Sequence, residues 1–376
     1  MLSLAARPGA NQQRSATPAA ERVTPRVSGE ACDTPPVDTA ERIVSLAEIE
    51  EARSRIAGVV HRTPMLASAT AARLLRDAGG PALADDALHV KAEHLQKTGS
   101  FKARGFSNRI ATLSDEQRRG GVITLSAGNA AQACAWAGRA AGVKVTVVMP
   151  AAAVRSKIDA SLAYGAEVIL HGAHVGETFA EMQRLSDERG LTFVHPFDDP
   201  EVIAGHGPIG LEILEDLPDL DVVVVAIGGG GLISGVAAAI KETRPATRVY
   251  GIEPTESNAM QLAVDAGHIV RIDPRSVADG LGGPFAGEWT LAMCRRYLDG
   301  IILLDDPTIL AGVRFAVERM KQVLEPAGAA ALAAVLFGRV PIADGERVCV
   351  VASGGNVEVG ALGELLAAAA PLPARA

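Results

Sequence analysis

Asp221-Val-Val-Val-Val-Ala-Ile-Gly-Gly-Gly-Gly-Leu-Ile-Ser-Gly235 decides the fold class. A run of β-branched residues without polar alternation is the pattern of a strand buried on both faces. The glycines after it let the chain turn tightly into 231–243, an Ala-rich stretch that reads as a helix. Strand, glycine turn and helix in that order make the repeating unit of a parallel α/β protein. Working outward, Gly121–Leu125, Val143–Met149, Ala166–Leu170, Thr247–Ile252 and Arg347–Ala352 are further short apolar runs bounded by Gly or polar residues. Helical segments are expected at 129–141, 154–164, 175–189, 231–243 and 307–324. Another begins at Ser45, where Ser45 and Glu48 have the spacing of a capping box. The pattern predicts two parallel sheets covered by helices on both faces.

With 376 residues, the chain is long enough for about two domains. Residues 1–40, rich in Ala, Pro, Thr, Arg and Ser, show no period and read as a disordered or loosely attached extension. The net charge of -8 and the lack of a basic stripe argue against nucleic acid as a partner. No apolar run has the length of a membrane span, and the start is too short for a secretory signal. Cys32, Cys134, Cys294 and Cys349 are far apart, without metal-ligand spacing, and read as reduced thiols. The expectation is a cytoplasmic protein.

Four short motifs could carry chemistry. Gly228, Gly229, Gly230 and Gly231, with the Leu232 N–H, could cradle an anion at a helix N-terminus, or could simply form a turn. Ser353, in Ala352-Ser353-Gly354-Gly355-Asn356, could bond a ring nitrogen or cap a helix. Lys102 follows Phe101 and precedes a glycine-containing turn. A desolvated lysine amine condenses with carbonyl cofactors, whereas a surface lysine would be inert. Ser126-Ala127-Gly128-Asn129 lies between a strand and a helix, where backbone N–H groups suit a carboxylate.

Taken in order with Lys91–Gly105, Glu253-Pro254, Ala278-Asp279-Gly280 and Glu325-Pro326-Ala327-Gly328, these motifs resemble the fold-type II (tryptophan synthase β-like) pyridoxal-phosphate enzymes. More narrowly, they resemble the serine/threonine dehydratase family, from about Ser45 to about Leu366. The resemblance implies pyridoxal 5'-phosphate as cofactor, two open twisted sheets, and β-elimination from L-threonine or L-serine to a 2-oxo acid and ammonia. It implies a large domain of residues 41–111 and 196–376, a small inserted domain of 112–195, and a homodimer or homotetramer. Lys102 would hold the cofactor as a Schiff base and act as base on the substrate Cα. Phe101 would lie against the cofactor ring, and Asn129 would bond its phenolic oxygen. Ser126, Ala127, Gly128 and Asn129 would bind the substrate carboxylate. Gly228 to Gly231 and Leu232 would hold the phosphate, and Ser353 would meet the pyridine nitrogen.

Three departures bear on substrate and metal. Ala130 stands where the family usually has His, which alters the pocket wall. Ala127 takes the place of the serine common in the family's racemases, which weakens the alternative of serine racemisation in the same site; 3-hydroxyaspartate dehydration is the other alternative. Glu253 matches one metal ligand of the family, but Ala259 stands where a carboxylate is needed, so no metal is expected and Glu253 is a weak candidate. His171, His174, His195 and His206 lack ligand spacing, Asp198-Asp199 reads as a turn, and Glu325 either shapes the pocket or caps a helix.

Overall fold

A computed structural model of the protein describes residues 42–373. The expected N-terminal extension and Cys32 lie outside the described residues. In chain order the strands are β1 (Met65–Ser68), β2 (Leu88–Lys91), β3 (Val122–Leu125), β4 (Val145–Met149), β5 (Glu167–Leu170), β6 (Thr192–Phe193), β7 (Val222–Ala226), β8 (Arg248–Pro254), β9 (Gly300–Leu304) and β10 (Val348–Val351). They form a six-stranded sheet, β1-β2-β10-β7-β8-β9, and a four-stranded sheet, β5-β4-β3-β6.

The valine run Val222–Val225 lies in β7, flanked by β10 and β8 and buried along its length. Val222 and Val224 face one apolar core, and Val223 and Val225 the other. The first core holds Pro326–Leu336, a helix buried at every residue, as expected of one apolar on all sides. The second holds the helix Gly231–Thr243. In the four-stranded sheet, Val122, Val145 and Val147 pack towards one core while Ile123 and Val148 pack towards another. Ser45 and Glu48 form the expected capping box on the helix Leu46–Ile56.

The structure differs from the sequence reading at the margins. β1 runs antiparallel to β2, so the larger sheet is mixed at one edge. β1 and β6 are short strands, and β9 is half-exposed although Ile301 to Leu304 are all apolar; none of the three was expected. The helix expected over 307–324 ends as an α-helix at Phe315. It widens into a π turn over Ala316–Met320, and Lys321 then adopts a left-handed φ of 60°. That release returns the chain in extended form to Glu325, at the start of the buried helix.

Four buried charges cross-brace the larger sheet. Arg104, on the helix Lys102–Ala111, makes paired bonds to Glu93 (2.9 and 2.8 Å) and to Glu212 (2.7 and 2.9 Å). Lys91, at the end of β2, meets Glu212 at 2.6 Å and donates to the Thr63 carbonyl at 2.7 Å. All four are buried, and their formal charges cancel. Burial opposes the charge on Arg104, but Glu93 and Glu212 overcome it and hold the guanidinium protonated. Removing one partner would leave an uncompensated buried charge. Arg104→Met is therefore expected to destabilise the protein by about 3–5 kcal/mol. Breaking the exposed Arg53–Glu215 pair with Arg53→Ala should cost at most about 1 kcal/mol. Equal losses for both variants in urea unfolding would contradict a central role for the cluster.

Candidate active site

The carboxyl ends of β3, β4, β7 and β10 open onto one cavity between the two sheets, of about 380 Å³. Crevices at strand carboxyl ends are where open α/β sheets bind ligands, and this volume suits a small molecule. Phe101, Lys102, Ser126, Ala127, Gly128, Asn129, Gly228, Gly229, Gly230, Gly231, Leu232 and Ser353 all line it. The structure thus brings together every site residue expected from the sequence apart from Glu253.

Lys102 is the first residue of its helix, which directs its side chain to the cavity floor. Its Nζ donates to the Pro196 carbonyl at 2.6 Å and lies 5.0 Å from the Phe101 ring centroid. Burial lowers its pKa from the ordinary 10.5 to about 8. The Phe101 N–H is held by the Ser353 carbonyl at 3.1 Å, and a bridge between Ser100 and Gly354 joins the lysine segment to the Ser-Gly-Gly-Asn segment. Two distant motifs are thereby fixed side by side. The Phe101 ring packs edge-on against buried His206, 4.8 Å between centroids.

Gly228–Gly230 follow β7 and lead into the helix Gly231–Thr243. The φ of 95° at Gly230 is one that L side chains rarely adopt, and a Cβ on Gly229 would sit 2.3 Å from the Phe197 ring. A side-chain-free turn at a helix N-terminus leaves backbone N–H groups, including those of Gly231 and Leu232, without intrahelical acceptors. On the opposite wall the helix Asn129–Ala141 starts in the same way. The preceding turn is held by the Gly128 N–H donating to Ser126 Oγ at 3.1 Å.

Ser353 caps no helix; its hydroxyl is buried, and its protein partner is the Ala327 carbonyl at a long 3.5 Å. Glu325 does line the cavity, and its Oε1 accepts from Asn129 Nδ2 at 2.7 Å. Burial, then nearby Asp279, raises Glu325 to about 7. Lys157, from the helix Arg155–Ala163, pairs with Asp279 across the cavity from the smaller sheet to the larger. Lys157 and the aromatic prop Phe197 were not singled out in the sequence, and Asp279 entered only as part of a motif without a role, because nothing local marks a charge or ring that matters only through its partners.

Other expectations resolve as structure. Asp199 caps the helix Pro200–His206, and Asp198 accepts from the N–H groups of Glu288, Trp289 and Thr290, so this pair anchors two helices rather than forming a simple turn. His174 accepts from the Glu177 N–H at the start of its helix. His195 Nδ1 accepts from the Asp198 N–H at 2.8 Å while its ring packs edge-on against Phe197, and burial followed by the Lys102 charge lowers it to about 4. Glu253 accepts from the N–H groups of Met260 and Gln261, at the start of the helix Ala259–Ala266. Among the described residues, no group of three or more His, Cys, Asp or Glu is arranged to hold a metal. Likewise, no helix there is long and apolar enough to cross a membrane.

Fold and cavity define a class. Residues 56–354 match the family described as pyridoxal-phosphate dependent enzyme, and the chain belongs to that family, with the fold-type II architecture. It is 40% identical over 325 residues to the L-threonine ammonia-lyase of Thermotoga maritima, covering 86% of this chain and 78% of that protein. It superposes on the threonine deaminase of T.th. with a TM-score of 0.75 and 39% identity, covering 84% of this chain and 99% of that one. It superposes on maize serine racemase with a TM-score of 0.79 and 35% identity, covering 85% and 96% respectively.

The unpaired burial of Lys102 makes a direct prediction. Below its pKa the amine carries a proton and is unreactive, and above it the neutral amine accumulates. In cofactor-free protein, acylation of Lys102 followed by peptide mass spectrometry should rise with pH with a midpoint near 8. A profile still climbing past 10, as for solvated lysines, would mean that the amine is not desolvated.

Proposed function

We propose that this protein is a pyridoxal-phosphate-dependent ammonia-lyase that converts L-threonine, L-serine or both into the 2-oxo acid and ammonia. The observation that carries the reading is a buried, carboxylate-free lysine amine between a side-chain-free anion cradle and a buried hydroxyl. The residues present fit the cofactor. Gly228 to Gly231 and Leu232 would hold its phosphate, Ser353 its ring nitrogen, Asn129 its phenolic oxygen and Phe101 one face of its ring, with Lys102 bonded to it. When bound, the cofactor supplies an electron sink for the electrons of the substrate Cα–H bond.

The chain's own residues supply the rest. Lys102 Nζ is the base that takes the Cα proton, and its lowered pKa places the neutral amine within reach near neutral pH. The amides of Ser126 to Asn129 orient the substrate carboxylate. Ser353 offers a neutral hydroxyl that cannot keep a ring nitrogen protonated, which favours prompt loss of the β-substituent. Ala127 places no hydroxyl on the second face of the substrate, which favours elimination over racemisation. Residues 112–195 would act as the small domain, and the Lys157–Asp279 pair would help to shut water out on closure. A homodimer or homotetramer in the cytoplasm is the expected setting.

The test is 2-oxo acid release by cofactor-saturated protein from L-threonine, L-serine, D-serine and both L-3-hydroxyaspartate diastereomers. Release of 2-oxobutyrate from L-threonine, cut by at least about 10²–10⁴-fold in Lys102→Ala, is expected. Interconversion of L- and D-serine without oxo acid would instead select the racemase reading, which the likeness to maize serine racemase keeps in view.

A further inference from the structure

Asn129 is held from behind by a chain of side-chain hydrogen bonds whose direction follows from a single backbone carbonyl. The Thr98 carbonyl can only accept, so the atom of Asn356 that meets it at 2.7 Å is Nδ2. The same Nδ2 lies 2.8 Å from the Asn129 side chain, which must therefore offer Oδ1. Asn129 Nδ2 then faces Glu325 Oε1 at 2.7 Å, where a carboxylate accepts. Flipping Asn129 would set two N–H groups against each other at Asn356, and two oxygens against each other wherever Glu325 is ionised.

The chain is also held sterically. Thr98 and Gly99 have φ of 62° and 72°, which shapes the turn that presents the carbonyl. A Cβ on Gly99 would come within 2.4 Å of Asn356 Oδ1, and one on Gly354 within 2.2 Å of Glu325 Oε1. The Asn356 backbone N–H supports the Glu325 carboxylate as well. Asp279 and Lys157 are the charged groups that bear on it from the surrounding elements.

We infer that Glu325 and Asn356 are positioning residues that lock the Asn129 amide in one orientation. One Nδ2 hydrogen is committed to Glu325 and one Oδ1 lone pair to Asn356, so the second Nδ2 hydrogen is the free N–H donor of the locked amide. The locked amide thereby holds a fixed N–H donor, suited to an anionic or electron-rich oxygen. This inference rests on the proposed reading in which that oxygen belongs to the cofactor.

The test is a double-mutant cycle read by cofactor binding rather than by turnover. Pyridoxal phosphate is titrated into cofactor-free protein and the dissociation constant taken from visible absorbance. Glu325→Ala and the isosteric Asn356→Asp, which cannot donate to the Thr98 carbonyl, should each weaken binding by about tenfold, the scale of one hydrogen bond. Glu325→Gln, whose Oε1 can still accept from Asn129, should stay within about twofold of wild type. In an Asn129→Ala background, Glu325→Ala should add less than about twofold. Thermal unfolding of each cofactor-free variant checks that the fold is intact. A full additional loss from Glu325→Ala without Asn129 would show that Glu325 acts on the ligand directly and would overturn the lock. Unchanged affinity in both lock variants would overturn it too, while leaving the site reading in place. Failure of the wild type to take up pyridoxal phosphate would instead defeat the site reading itself, and the lock with it.

Discussion

The cluster of Lys91, Glu93, Arg104 and Glu212 is the constraint on which the site geometry depends. A helix that begins at the floor of a cavity has no packing on that side to hold its first turn. Arg104, two residues into the helix, supplies the hold through paired bonds to Glu93, just beyond β2, and to Glu212, on the helix Pro208–Asp216. Each carboxylate has a second partner, Thr63 for Glu93 and Lys91 for Glu212. A fully satisfied ionic network is rigid because any displacement exposes a buried charge without compensation. The position of Lys102 is therefore inherited from an electrostatic joint rather than from apolar contacts alone.

Opposite that joint, the cavity is shaped by what is missing. The turn after β7 carries no side chain, and Phe197 fills the space behind it, so that backbone N–H groups are what it presents to a ligand. Phe197 is in turn supported by His195, whose Nδ1 accepts from the Asp198 N–H. Asp198 caps the helix Glu288–Tyr297 and so ties the segment after β6 to the larger sheet. One short stretch, His195 to Asp198, thus links both sheets and backs the anion cradle.

The sequence announced what depends on local pattern. Valine runs such as β7 declare themselves because they are buried on both faces, and the glycine turns because few other residues can make them. The motif order carried the expected site residues to one cavity, although residues 100–102, 126–129, 228–232 and 353 are far apart in the chain. Edge strands escaped for other reasons: β1 is only four residues long, and the apolar run Ile301–Leu304 of β9 is too short for periodicity to tell a strand from a buried helix. The π turn after Phe315 escaped because helical periodicity continues through it. Lys91, Glu93 and Arg104 stood inside a recognised motif, but their pairing with one another and with Glu212 escaped for a different reason. Lys91, Glu93, Arg104 and Glu212 are ordinary surface residue types, and only the fold makes them neighbours.

Lys102 and Arg104 show how partners decide the behaviour of a cation. They share a helix, and burial opposes the charge of both. Arg104 faces two carboxylates and stays charged. Lys102 faces a peptide carbonyl and the edge of an aromatic cluster, and among the described residues no carboxylate lies within ion-pair distance of its amine. The nearby histidines cannot help, since burial depresses both His195 and His206, and the charge on Lys102 depresses them further. The acids of the cavity, Asp279 and Glu325, are engaged by Lys157 and Asn129 respectively. A carboxylate beside Lys102 would stabilise its ammonium form and remove the lone pair that covalent chemistry needs. Withholding one is thus as much a part of the site as any contact it makes.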